Sequence, residues 1–476
     1  MDRPKIILCI PPIALETITG KLGKFWEIGS SMPPQGLCQI AAISREKGYE
    51  TKILDCQVMR LTLDKAVENI LEFNPKFVGI SSSTVSINAS GKFAKKIKEV
   101  KSSIMTIIGG PHVSALPVET LKEFNGFDVG VVGEGDLTFY ELIETVLNHS
   151  GLNNVSGLLY RDNGKIRVNA PRPLIKDLDF LPMPAWDLLP KLSKYYRTSA
   201  QRSKEFPIAS IITSRGCPFN CSFCDKSVFG QTLRAHSAKY VLEMIKILKY
   251  KHSIRALVFN DDLFIVNKNR LIEICEGMIQ NNLKISWSCN GRLDSLDLEI
   301  LKLMRRAGCW QIAFGIESSN QELIEKIKKK IYLDTIPEKL RLVKKAGIST
   351  KGFFILGLPS ETIKTIEKTI EYTKKIPLDD VQFSIFTPYP GSELYKYVVE
   401  NEGFIPEWDK MNTIFPSYVP KYLTKEDLIY YQRKGTKEFY FRIHHIVNQV
   451  LKFKNLRYVI NVIREALYFL NYIYRN

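Results

Sequence analysis

The run Arg215-Gly216-Cys217-Pro218-Phe219-Asn220-Cys221-Ser222-Phe223-Cys224 follows an apolar stretch at 209–213 and places three thiols at C-x3-C-x2-C spacing. Three thiols so close together can hold three irons of a cubic iron–sulfur cluster and leave the fourth iron open to a small molecule. A structural zinc normally takes four ligands, and the next candidate, His236, lies well outside the loop. An odd triplet in a chain whose start does not read as a secretory signal also argues against disulfides. A 4Fe-4S cluster on Cys217, Cys221 and Cys224 is therefore the expectation, with one iron available for chemistry.

The loop opens a series of alternating strands and helices. Strands are predicted at 209–213, 255–259, 284–288, 311–315, 350–356 and 381–386, with helices between them. Six such units predict a partial barrel with its reaction centre at the carboxyl ends of the strands. Those ends carry Asn260-Asp261-Asp262, Ser288-Cys289-Asn290-Gly291-Arg292, Gly315-Ile316-Glu317-Ser318, Gly357-Leu358-Pro359-Ser360-Glu361 and Pro388-Tyr389-Pro390-Gly391. Each has a plain alternative: Asp261 and Asp262 as caps, Glu361 as an early-helix acid, Arg292 as an ordinary ion pair. Their convergence at one barrel end beside the cysteine loop reads as a site.

Residues 1–150 show the same alternation. Strands are predicted at 5–10, 51–54, 77–81, 104–108 and 128–132, and helices at 35–48, 62–73, 87–100, 117–123 and 136–147. This rhythm predicts a parallel sheet covered on both faces, with a ligand beyond the strand ends. The ends there are short, glycine-rich or hydroxylic: Gly36, Ser82, Thr84, Gly109, Gly110, His112, Gly133, Glu134 and Gly135. Cys9, Cys38 and Cys56 in this domain are read as buried small residues rather than ligands of a second cluster. Residues 156–168 predict a hairpin, and proline recurs through 171–190, so 151–206 reads as hairpin and linker.

The chain has 476 residues, a formal charge of +17 and nine cysteines. No window approaches about twenty uncharged apolar residues, so no spanning helix is expected. The start around Lys5–Ile10 is strand-like, and the cysteines suit a reducing cytoplasm. Lysine-rich helices such as the one with Lys326, Lys328, Lys329 and Lys330 account for much of the charge, and no arginine stripe predicts a nucleic-acid groove. Residues 406–476 read as a helical C-terminal region. Its aromatic stretch 455–475 either packs over the barrel, the reading preferred here, or lies on a membrane surface; His444 and His445 read as an exposed pair.

These segments resemble the cobalamin-dependent radical S-adenosylmethionine (SAM) family, in the subfamily of the anaerobic magnesium-protoporphyrin ester cyclase and related methylases. The resemblance covers residues 5–445 and implies an α/β chain: a flavodoxin-like (Rossmann-type) cobalamin-binding domain at 1–150, a radical SAM (β/α)6 partial barrel at 207–405 and a helical C-terminus. It implies that SAM chelates the open iron, with Phe223 near the adenine, Asp261 and Asp262 accepting from the SAM amino group, Glu317 on the ribose and Arg292 in the same site. It places cobalamin on the glycine-rich loops of the first domain. The Asp-x-His-x-x-Gly motif of many cobalamin domains is absent, so no histidine is expected beneath cobalt. Ser360 stands where the family usually has glycine, which implies a stiffer turn.

The resemblance also implies a reaction. An electron divides SAM into methionine and a 5′-deoxyadenosyl radical, the radical removes hydrogen from an unactivated carbon, and methylcobalamin supplies a methyl group. Cyclisation or rearrangement with the same cofactors is a second reading, and a non-catalytic cobalamin sensor a third, which the intact cysteine loop opposes. The implied partners are a small-molecule or lipid-like substrate and an electron donor such as flavodoxin or ferredoxin.

Overall fold

In the computed structural model, which describes residues 3–13, 31–198, 203 and 205–442, the first apolar run forms β1 (Ile6–Ile10). Around it lie β2 (Thr51–Asp55), β3 (Phe77–Ser81), β4 (Met105–Gly109) and β5 (Val129–Val131), followed by β6 (Leu158–Asp162) and β7 (Lys165–Val168). The spatial order is β2-β1-β3-β4-β5-β6-β7, parallel through β5 and antiparallel beyond it. Ile6, Ile7, Leu8 and Cys9 are all buried, so both faces of β1 are covered, as a central parallel strand requires. Its two faces feed two separate hydrophobic clusters, Ile6 and Leu8 in one and Ile7 and Cys9 in the other.

Local chemistry sets the helix ends. Thr62 accepts from the Lys65 N–H and opens the helix Leu63–Phe73, and Asn74 closes it with φ of 54°. The 156–168 hairpin turns through Asn163 and Gly164, both at positive φ, as a two-residue hairpin loop demands. It is not a connector: β6 pairs with β5 through Val129↔Tyr160, so the first sheet runs on past residue 150.

The proline-rich segment is also packed rather than loose. The Pro182 carbonyl accepts from Gln39 and from the Tyr240 hydroxyl, Trp186 is buried, and the Tyr196 hydroxyl donates to Asp55 at 2.9 Å. Apolar and aromatic residues between the prolines give this segment a core of its own contacts with both domains.

The second sheet contains β8 (Ile208–Ile211), β11 (Ala256–Phe259), β12 (Ser286–Gly291), β13 (Cys309–Glu317), β14 (Ser349–Leu356) and β15 (Asp380–Ile385). Between the first two of these, a small antiparallel ribbon pairs β9 (Ser214–Arg215) with β10 (Arg234–Ala235). The six strands run parallel in the order β15-β14-β13-β12-β11-β8, with β8 and β15 at the edges, which is the expected partial barrel. Outward residues such as Phe259, Trp287, Ile312, Phe354 and Phe383 join the main core. The opposite face is mixed: Ile208, Ala256 and Val258 form a small apolar cluster with Met32 and Phe206, Ser288 and Gln311 are buried polar positions, and Asn260, Asn290 and Gln382 remain exposed.

After β15 the chain returns to the first domain. Trp408 donates from its ring nitrogen to Glu123 and meets His112 edge-on with centroids 4.9 Å apart. The helix Lys425–Tyr440 then packs on the barrel, with Gln432 donating to the Phe383 carbonyl at 3.0 Å. His444, His445 and 455–475 lie outside the described residues. Among the described residues no helix is long and apolar enough to cross a membrane.

Ser360 occupies φ of 70°, a left-handed conformation that costs a non-glycine residue about 1–2 kcal/mol. Ser360→Gly is therefore expected to raise the unfolding free energy of iron-free protein by about 1 kcal/mol after glycine's own entropy cost, read as a higher urea midpoint. A lowered midpoint would contradict this reading of the turn.

Candidate functional site

The cysteine loop is an excursion from the β9–β10 ribbon at the barrel mouth. Gly216 turns out of β9 at φ of 84°, and a Cβ there would lie 2.3 Å from the Thr232 carbonyl oxygen, so no side chain fits. Ser222 anchors the middle of the loop: its N–H donates to the Ile327 carbonyl at 3.0 Å and its carbonyl accepts from Leu394 at 2.9 Å. Lys226 braces the loop from within through the Asn220 side chain at 2.8 Å.

All three thiols are free; Cys217 and Cys221 are half-buried and Cys224 is exposed. Cys224 donates to Cys221, which that hydrogen bond and the positive charges of Lys329 and Arg292 hold below the usual thiol range, at about 6. Burial pushes Cys217 up. Among the described residues no three His, Cys, Asp or Glu side chains converge tightly enough for a single metal ion. A cubic cluster makes no such demand, because each of its three thiolates binds a different iron. Nearby cationic groups further favour the thiolate form and an anionic cluster. The loop fits the expected group.

The strand-end residues divide into two kinds. Asp262 is exposed at the mouth, close enough to Cys217 for its charge to raise the thiol, and desolvation raises its own carboxyl. Arg292 lies over the Phe219 ring at 3.6 Å from its centroid and is steadied by Asp294 and the Lys330 carbonyl. Glu317 is buried at φ of 69°, where the β13–β14 register shifts, and accepts from Lys329, whose amine also stands 5.8 Å from the Phe223 centroid. Positive φ at a non-glycine residue is strain of the kind found at ligand sites.

Asp261 is of the other kind and corrects the expectation. It is fully buried, and its Oδ1 accepts from the Thr213 N–H, the Thr213 hydroxyl and Ser214. Arg270 grips the same Thr213 from the other side, at 2.9 Å to its carbonyl. Asp261 therefore holds the chain entering the ribbon through Oδ1, while its Oδ2 is buried without a hydrogen-bond partner. Glu361 is likewise not an early-helix acid. It turns back onto the Gly357 and Leu358 N–H groups, and burial raises it to about 8.

In the first domain, Gly36 and Gly109 have open space where a Cβ would stand, and Gly133 has only the Val228 carbonyl oxygen, 3.9 Å away. Gly109 at the end of β4, Gly133 in the loop after β5 and Gly36 in the first turn of the helix Gln35–Glu46 thus offer bare backbone, a candidate cradle that suits the close approach of a flat ligand such as a corrinoid. Gly110, at φ of 109°, lets β4 close on Ser82, whose carbonyl oxygen would lie 2.5 Å from an added Cβ. The Ser82 hydroxyl is bonded to Ser86 and Ser90, and Gly135 starts the helix Gly135–Leu147. His112 is buried, with Nδ1 3.4 Å from Thr84 Oγ1 and its pKa lowered by burial to about 4, so it is a neutral packing residue rather than one facing the cradle.

Glu134 is the second correction. Its side chain leaves the cradle and accepts from Arg215 at 3.0 Å, from Arg234 at 2.9 Å and from the Ile175 N–H at 2.9 Å. Asp136 completes the group with two bonds to Arg215, at 2.7 and 3.1 Å. These four charges join the two domains beside the cysteine loop. Gln35 adds a reciprocal pair with Ile212 at the end of β8, at 2.9 and 2.6 Å. Asp136, Arg215 and Arg234 were not singled out from the sequence, nor were Lys329 and Gln35. Arg215 and Asp136 stood within the motifs, but nothing local pairs residues so far apart in the chain.

Comparison with known proteins agrees with this geometry. The B12 binding domain matches residues 25–143, and the radical SAM superfamily matches residues 211–373. An uncharacterized methyltransferase of Pyrococcus horikoshii is 36% identical over 95% of this chain and 96% of its own length. The anaerobic magnesium-protoporphyrin IX monomethyl ester cyclase of Rubrivivax gelatinosus is 28% identical over 85% of this chain and 73% of its own. The cobalamin-dependent SAM radical enzyme OxsB, solved with aqua-cobalamin and SAM, shares the fold at a TM-score of 0.75 and 17% identity, over 98% of this chain and 70% of its own. A cradle-bearing first sheet and a thiol loop at the mouth of a second, in one continuous match, mean that this chain belongs to the cobalamin-dependent radical SAM enzymes.

Proposed function

We propose that this enzyme transfers a methyl group to an unactivated carbon of a small molecule. The observation that carries this reading is the buried set of charges that joins the base of the thiol loop to the glycine-bearing loop of the first domain. When bound, the cluster supplies the electron that divides SAM into methionine and a 5′-deoxyadenosyl radical, and the corrinoid supplies a methyl group. The methyltransferase name of the Pyrococcus horikoshii relative supports methylation. The cyclase relative favours a second reading, ring closure with the same cofactors and no net methyl transfer.

Each residue has a definite task in this reading. Cys217, Cys221 and Cys224 hold the cluster, and Lys329 and Arg292 balance its negative charge. Asp262 accepts from the SAM amino group, Glu317 meets the ribose with its orientation fixed by Lys329, and Phe223 lies beside the adenine. Gly36, Gly109 and Gly133 let the corrin approach the backbone, while Gly110 keeps the Ser82–Thr84 turn in place. The exposed amides of Asn260, Asn290 and Gln382 at or near the strand ends orient a hydrogen-bonding substrate. An acidic electron carrier suits the basic chain as reductant, and a reducing cytoplasm suits its free thiols.

Anaerobically reconstituted protein should hold about four irons per chain, since Cys9, Cys38 and Cys56 are buried. About eight irons would contradict the single-cluster assignment. Cys217→Ala should abolish 5′-deoxyadenosine formation from SAM, and retained formation would overturn the cluster ligands. With substrate, S-adenosylhomocysteine should form alongside 5′-deoxyadenosine; its absence would favour ring closure. Finally, His112→Phe should leave the electron paramagnetic resonance (EPR) spectrum of bound cob(II)alamin unchanged. Loss of nitrogen splitting in the variant would make His112 a cobalt ligand.

A further inference from the structure

The segment Gly133–Asp136 belongs to both halves of the site at once. Gly133 lies in the loop that follows β5 of the first sheet, and the nearest atom to its missing side chain is the Val228 carbonyl oxygen of the cysteine excursion. The next acids, Glu134 and Asp136, hold Arg215 and Arg234. Those arginines are register partners on the β9–β10 ribbon, so the acids grip both legs from which the excursion hangs. Arg215 is followed directly by Gly216 and Cys217.

The contact is stiff for physical reasons. Side-chain exposures are 11% for Arg215, 6% for Arg234, 3% for Glu134 and 7% for Asp136, so water does not replace a lost partner. Asp136 receives both Arg215 nitrogens as a two-pronged fork, which fixes angle as well as distance. Arg234 is further tied to the Ile175 and Phe229 carbonyls, at 2.8 and 3.0 Å, and so cannot swing to absorb a displacement. A shift of the 133–136 backbone is passed to the ribbon.

We propose that Glu134 and Asp136 are positioning residues that couple occupancy of the cobalamin cradle to the placement of the cysteine loop. Coupling of this kind is reciprocal: cluster assembly alters cobalamin affinity, and cobalamin alters the surroundings of the cluster. The proposal rests on both cofactors binding this chain.

The test measures the dissociation constant of hydroxocobalamin by equilibrium dialysis against cluster-loaded and iron-free protein. In wild type the two constants should differ by about fivefold or more. In Glu134→Gln and Asp136→Asn the ratio should fall toward one. The EPR spectrum of the reduced cluster should change on adding cobalamin in wild type and not in the variants. If Glu134→Gln does not fold, Asp136→Asn, which keeps shape, and Arg215→Lys, which keeps charge but loses the fork, carry the same expectation. Variants with the wild-type ratio and spectral change overturn the proposal. A wild-type ratio of one with both cofactors bound overturns it alone, whereas wild type that takes up no iron or no cobalamin overturns the cofactor reading beneath it.

Discussion

Two carboxylates, Glu134 and Asp136, and two guanidinium groups, Arg215 and Arg234, meet in a nearly water-free contact between the sheets. Burying four charges is costly, and mutual attraction offsets that cost only if every charge is bonded. Here each is, and removal of one partner of such a pair typically costs about 3–5 kcal/mol. The consequence is geometric. The cysteine excursion begins and ends on the ribbon that carries both arginines, so its placement against the first domain follows from this contact. The Gln35–Ile212 pair and the packed 171–198 segment act in the same direction, joining the end of β8 and the helix Gln35–Glu46 into one body.

Around this contact the chain keeps unlike duties on neighbouring residues. Asp261 holds the framework while Asp262 faces the mouth. Gly133 is bare backbone beside Val228 while Glu134 holds Arg234. Glu317, in a strained conformation, is fixed by Lys329, which also lends positive charge to Cys221 and stands over Phe223. A single lysine thus links one candidate SAM-contacting acid, one thiol and one ring. The rigid element ends supply the frame, and the chemistry is carried by loops hung between them.

The sequence made some of this legible because its signals are local. Cysteine spacing within one loop, the alternation of apolar strands and amphipathic helices, and glycines at strand ends each depend on near neighbours. The six-stranded barrel and the parallel first sheet could therefore be read directly. Asp261 and Glu134 were misassigned because an acid at a strand end looks the same whether it faces a ligand or a distant arginine. Only folding brings Glu134 to Arg234, 100 residues along the chain. The hairpin Leu158–Val168 read as part of the connector because nothing local says that an antiparallel pair will add to a parallel sheet. Glu361 read as one of the converging strand-end groups, with a helix-start acid as its alternative, and its carboxylate instead folds back on the turn.

The proposed arrangement puts both cofactors on one chain, joined through the acid–arginine contact. The most direct measurement is the low-temperature EPR spectrum of reconstituted protein containing cob(II)alamin and the one-electron-reduced cluster. Two unpaired spins held so near each other should broaden and split one another's signals. A spectrum equal to the sum of the two isolated centres, in protein with one cobalamin and one cluster per chain, would contradict the account.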